Sequence, residues 1–213
     1  MAFRGPADHD LNNVYALNSA LLALIDQQDD WIDAPPELAA RLRSLDAEER
    51  DRLARTPLLL LSVSEQDLAR WSPVFEARHC RDLVSEMHEP PAPVAELASA
   101  TLGFLWQLAR RDTYAARVLS GASIEWCERL AGALLLDVLA FGTHEPGLLA
   151  LRMGSQSTFW GKLLAAGTSG ERDVRLAARV CALQTALTGD AAFSGRPRRA
   201  AACSMGPRPA RRS

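Results

Sequence analysis

Apolar residues recur at steps of three and four along most of this chain. The longest such stretch runs from Val94 to Arg111, where Val94, Leu97, Ala98, Leu105 and Leu108 fall on one side, with Thr101 among them. That spacing is the period of an α-helix, not the alternation of a strand. Phe104 and Trp106 widen the apolar surface, so neighbours are expected on more than one side of this helix. Pro90, Pro91 and Pro93 prevent a helix from running in from upstream.

The same period extends in both directions. Leu11, Val14, Leu21, Leu22 and Ile25 share a face with Asn18, which places an amide among apolar neighbours. A buried Asn needs hydrogen-bond partners. Pro35 and Pro36 open a short second helix. Asp46-Ala-Glu-Glu49 has the form of a capping box for a helix over residues 47–55. The four leucines Leu58 to Leu61 have no period of their own, and Pro57 before them suits a buried helical turn. Ser64 and Asp67 precede a helical start at Leu68, and a further helix is expected from Val74 to Met87 after the break at Ser72-Pro73.

Beyond the central stretch, Asp112 caps a helix that Gly121 ends. Ser123 caps another, with Ile124, Cys127, Ala131, Leu134, Leu135 and Val138 on one face. Brief helices are expected at 148–153 and 157–166. In the last one, 171–187, Val174, Ala177, Ala178, Cys181 and Ala182 form one seam, with Leu176, Val180, Leu183 and Leu187 beside it. The predicted fold is all-α, a multi-helix bundle or two packed helical units. These would be residues 1–88 and 94–188, joined by the proline-rich 88–93 segment. Residues 189–213 are rich in Ala, Arg, Pro and Gly, with no period, and are expected to be disordered.

Charge sharpens that division. The whole chain of 213 residues carries a formal −2. After Asp190 there is no acidic residue but six arginines, Arg196, Arg198, Arg199, Arg208, Arg211 and Arg212, which leaves −8 on the part before them. An acidic body with a basic tail results. Lys162 is the only lysine, a bias that fits a GC-rich bacterial gene. No apolar run is long enough to cross a membrane, and the N-terminus lacks a secretory pattern, so a cytoplasmic protein is expected.

Candidate chemistry is sparse. Cys80, Cys127, Cys181 and Cys203 form no C-x-x-C pair and read as free thiols. His79, Cys80 and His88 lie near one another in sequence. Adjacent helical residues point about 100° apart, however, and no second ligand lies three or four residues away. Neither a metal nor a cofactor is expected. Nucleophile-elbow, phosphate-loop and dinucleotide motifs are missing. The tail arginines are candidate contacts for phosphates or a partner, although an acidic body would repel a duplex. Arg50, Arg52 and Arg55 alternate with Glu48, Glu49 and Asp51, a solvated face. Trp106, Trp126 and Trp160 sit inside helical patterns and are expected in the core. Trp31 and Trp71 lie near element ends and are candidate interface anchors, against the alternative of packing under a loop.

One segment resembles a known family. Val14, Tyr15, Leu17 and Asn18, followed by Leu53, Ala54 and Thr56, resemble the N-terminal part of FlhD-type flagellar transcriptional regulators. The match covers residues 14–62, and the connection over 28–40 is shorter than that family's. The resemblance implies an all-helical, dimeric, non-enzymatic regulator that acts with a partner subunit on DNA, and it assigns no DNA-contact residue here. The expected function is a cytoplasmic helical protein-interaction or regulatory protein without catalysis. A regulator of the FlhD type is the alternative, and an enzyme without a recognisable motif the third reading.

Overall fold

A computed structural model describes residues 5–27, 31–76, 90–145 and 147–193, with side chains as far as Leu187. The described residues form ten helices and one two-stranded ribbon, an all-α fold. In order these are α1 (Asp8–Gln27), α2 (Pro36–Arg43), α3 (Ala47–Ala54), β1 (Leu61–Ser62), α4 (Leu68–Phe75) and α5 (Ala92–Arg111). They continue with α6 (Thr113–Ser120), α7 (Ile124–Gly132), α8 (Leu135–His144), β2 (Ala150–Leu151), α9 (Ser157–Gly167) and α10 (Arg172–Phe193). No described helix is long and apolar enough to cross a membrane.

The architecture is built around α5. Its buried residues are Val94, Ala95, Leu97, Ala98, Thr101, Leu102, Leu105, Leu108 and Ala109. They form a face too broad for a single neighbour, and α1, α6, α7 and α8 all pack on it. The closest approach is to α8. A Cβ on Gly142 would stand 3.0 Å from the backbone of Ser99, so glycine lets the two helices meet. The acidic start of α1 is tied to the basic end of α5. Asp10, almost wholly buried, accepts from the Arg111 guanidinium at 2.5 Å and from the Ala7 backbone N–H at 2.8 Å.

Several local signals hold as read. Asp46 and Glu49 form a reciprocal capping box on α3. Asp112 caps α6 and Ser123 caps α7 through their side chains. Gly121 ends α6 at φ 77°. A side chain there would overlap the guanidinium of Arg152, which lies buried and donates to the Leu119 carbonyl at 3.0 Å.

The leucine run is a correction. Leu58 to Leu61 are all buried, but they form no helical turn; the segment is irregular and enters β1. Its backbone groups find partners elsewhere. The Asn18 amide donates to the carbonyls of Ala54, Thr56 and Leu58, and its oxygen accepts from Leu60 N–H at 2.8 Å. Leu59 N–H donates to Leu119, and Leu60 O accepts from Arg152 N–H. With those groups satisfied, helical hydrogen bonds are not needed. The expected helix at 148–153 is corrected for the same reason. Residues 150–151 pair antiparallel with β1, and Asp33 exchanges bonds with Leu149 and Leu151.

Two boundaries also move. The expected break at Ser72-Pro73 is absent, and α4 runs through Pro73 to Phe75. The rest of the helix expected to Met87 lies outside the described residues. The helix expected over 124–138 divides at Ala133 and Leu134, whose backbones are extended. The Ala133 carbonyl instead accepts from the Trp106 indole at 2.9 Å. One contiguous hydrophobic cluster runs from Val14 to Ala186, so residues on both sides of the proline-rich joint share a core.

Candidate interaction surface

Helix α10 is rich in Ala, Leu and Arg, all favourable in helices. Its inward side is made mostly of small residues. Ala182 and Ala186 are buried, with Ala178 and Arg179 partly so, and α9 packs against this side. Arg175 reaches back to the carbonyls of Ser169 and Gly170, both at 2.7 Å, and fixes the α9–α10 turn. Arg179 donates to the Arg52 carbonyl of α3 at 3.2 Å. Burial holds the Arg179 guanidinium below its usual pKa, against a rise from nearby Tyr15.

The larger apolar residues of α10 are left outside. Val174, 37% exposed, stands apart on another side of the helix; Leu176 is 57% exposed, Val180 49% and Leu187 36%, and Leu183 is partly buried beside these three. Their steps of four, three and four place them within about 60° of one another around the axis. This is a narrow stripe along one edge of the packed side. A second exposed group, Leu134 and Leu136, lies at the start of α8. There Trp106 holds the Arg110 guanidinium over its ring at 4.6 Å.

The residues named from sequence separate clearly. Trp71 is a correction: it is fully buried and cannot serve as an exposed anchor. Its ring lies 5.0 Å from Trp126 and 4.7 Å from Phe141, and its indole N–H donates to the Ser64 carbonyl. The sequence position before Ser-Pro suggested an element end, but α4 continues and turns this residue inward. Trp31 is half-buried and packs against the core. Trp126 and Trp160 are buried and Trp106 partly so. His79, Cys80, His88 and the arginines 196, 198, 199, 208, 211 and 212 lie outside the described residues.

Among the described residues no cluster of three or more His, Cys, Asp or Glu could hold a metal ion. Burial pushes the Cys127 thiol up to about 12, far from a nucleophile's range; Ser120 lowers it slightly and Glu65 raises it. A cavity of about 500 Å³ lies at the start of α5, lined by Pro90, Ala95, Glu96, Ser99, Thr143 and His144 among others. Its Ser99 hydroxyl contacts the Thr143 hydroxyl at 2.9 Å and the Leu139 carbonyl at 3.3 Å, so it is held in helix-to-helix bonding.

No protein-family model, no curated protein and no solved structure matches this chain. The positions that carry the FlhD-type resemblance have a structural use of their own. Val14, Asn18, Leu53, Ala54 and Thr56 are buried together, and Asn18 joins α1 to the segment after α3.

Proposed function

We propose that this chain is a non-enzymatic helical interaction or regulatory protein of the cytoplasm, with the exposed row on α10 as its contact surface. A single observation carries this reading: Leu176, Val180 and Leu187 stand in solvent at helical steps while the same helix buries alanines. Apolar side chains aligned on one helix edge are the form in which amphipathic helices present anchors to a partner. The reading does not use Glu96 and His144, which share the cavity at the start of α5 with a Ser99 hydroxyl already bonded to Thr143 and Leu139.

The test is a pull-down from the native cell with the full chain and with the double variant Leu176→Glu, Val180→Glu. The wild-type chain retains a defined protein that the variant loses, while both give the same far-ultraviolet circular dichroism. Equal retention by both would refute the α10 surface. A regulator of the FlhD type is distinguished in the same preparation. It would shift duplex DNA in a salt-dependent manner together with its retained partner.

A further inference from the structure

We infer that the α10 row is a self-pairing seam, and that two copies of this chain associate through antiparallel α10 helices. The inference rests on the interaction reading above and names the occupant of the same surface. Leu176, Val180, Leu183 and Leu187 occupy alternate a and d positions of a heptad, with 176 and 183 at d and 180 and 187 at a. These four form a two-in-seven stripe, the narrow seam of a coiled coil, whereas the face a helix turns to a globular core is broader; the exposed Val174 and Cys181 lie on another side of α10. The face α5 presents to its neighbours is of the broad kind.

The order of steps is four, three, four, and it reads the same in reverse. A two-fold axis between residues 181 and 182 therefore maps the seam onto itself. Leu176 faces Leu187 of the second copy, and Val180 faces Leu183 of the second copy, so each layer joins an a position to a d position. This is the self-complementarity an isologous contact requires. Ala177 and Gln184 flank the seam on its solvent side, both exposed and uncharged, so they bring no repulsion when two copies meet.

Charge selects the orientation. Six arginines and no acidic residue follow the end of α10. Parallel pairing would bring both sets to one end. Antiparallel pairing separates their points of departure by the helix length, about 33 Å for 22 residues. That exceeds the screening length of roughly 8 Å at physiological salt. It also sets each departing chain beside Glu171 and Asp173 of the other copy, both exposed. One contact opposes the arrangement, since Asp173 falls opposite Asp190 of the second copy. Four side chains on one helix cover much less than the roughly 800 Å² per partner of a stable interface. The dimer is accordingly weak and concentration-dependent.

Sedimentation equilibrium of the purified full chain, over about a hundredfold range of concentration, tests the pairing. The expected result is a monomer–dimer equilibrium. Leu176→Glu with Val180→Glu raises its dissociation constant at least about tenfold, while Leu136→Glu on α8 leaves it unchanged. A chain that stays monomeric throughout, or a dimer indifferent to the α10 changes, overturns self-pairing. In that case the pull-down still decides the interaction reading by itself. Orientation is read from a spin label on the variant Arg172→Cys, with the native cysteines changed to alanine. Two labels on the order of 30 Å apart support the antiparallel form, and about 10 Å refutes it.

Discussion

Helices α5 and α10 have similar length, 20 and 22 residues, and the same period, yet their places in the molecule differ sharply. The first buries nine residues, including four leucines, against four neighbouring helices. The second has two buried alanines among its described side chains and turns Leu176, Val180 and Leu187 outward, with Leu183 partly buried. The difference lies in the width and size of the apolar face. A broad face of mixed large and small side chains demands neighbours all round. A seam of alanines needs one close neighbour, and the stripe of leucines beside it remains unfilled. Helical period alone does not distinguish these cases; the size of the residues at each angle does.

The largest expected effect is at the centre of α5. Leu105→Ala removes a fully buried side chain and should cost about 2 to 5 kcal/mol in urea unfolding. A loss below about 0.5 kcal/mol, the usual size of a surface change, would deny α5 its central place.

A smaller effect is expected where α1 is tied to the end of α5. Burial alone would raise the Asp10 pKa. The hydrogen bond from Arg111, the Ala7 backbone N–H and the charges of Arg111 and His9 together outweigh it and hold the carboxyl below its ordinary 3.8. A carboxylate with a lowered folded pKa stabilises the protein above its unfolded value, and that stability is lost as pH falls through the folded one. Asp10→Asn should therefore lower stability by about 1 kcal/mol near neutral pH. The difference from wild type should begin to narrow below about pH 4. Urea midpoints measured at pH 7 and pH 3 provide the check, and a constant gap between the two proteins would refute it.

The smallest effect is expected on α10. Val180→Glu should change folding stability by no more than about 0.5 kcal/mol. A loss comparable with that of Leu105→Ala would show that the row is part of the core, and the comparison of the two helices would fail.

Much of the candidate surface was legible in the chain itself. The residues 176, 180, 183 and 187 were visible as a row beside a seam of small residues. The expected seam is a correction: Val174, Ala177 and Cys181 are exposed, and the helix packs instead through Ala182 and Ala186, at angles between the two rows, which period alone could not decide. Trp71 illustrates the same limit. Its neighbours Ser72 and Pro73 suggested an element end, and the ring was placed inside only by α4 continuing and by the positions of Trp126 and Phe141. The division of the helix expected over 124–138 was also hidden, since it depends on Trp106, distant in sequence, taking the Ala133 carbonyl.

Local chemistry by itself determined the helical class, the capping of α3, α6 and α7, the stop at Gly121 and the burial of Asn18. These depend on period, side-chain oxygens near free backbone N–H groups, and backbone freedom, all within a few residues. Tertiary structure alone decided the leucine run and the 148–153 segment. There the backbone hydrogen bonds are satisfied by Asn18, Leu119, Asp33 and Arg152, groups remote in sequence. It also decided which face of α10 is left to solvent. A helix has several apolar edges to offer, and only the neighbours already in place determine which one they cover.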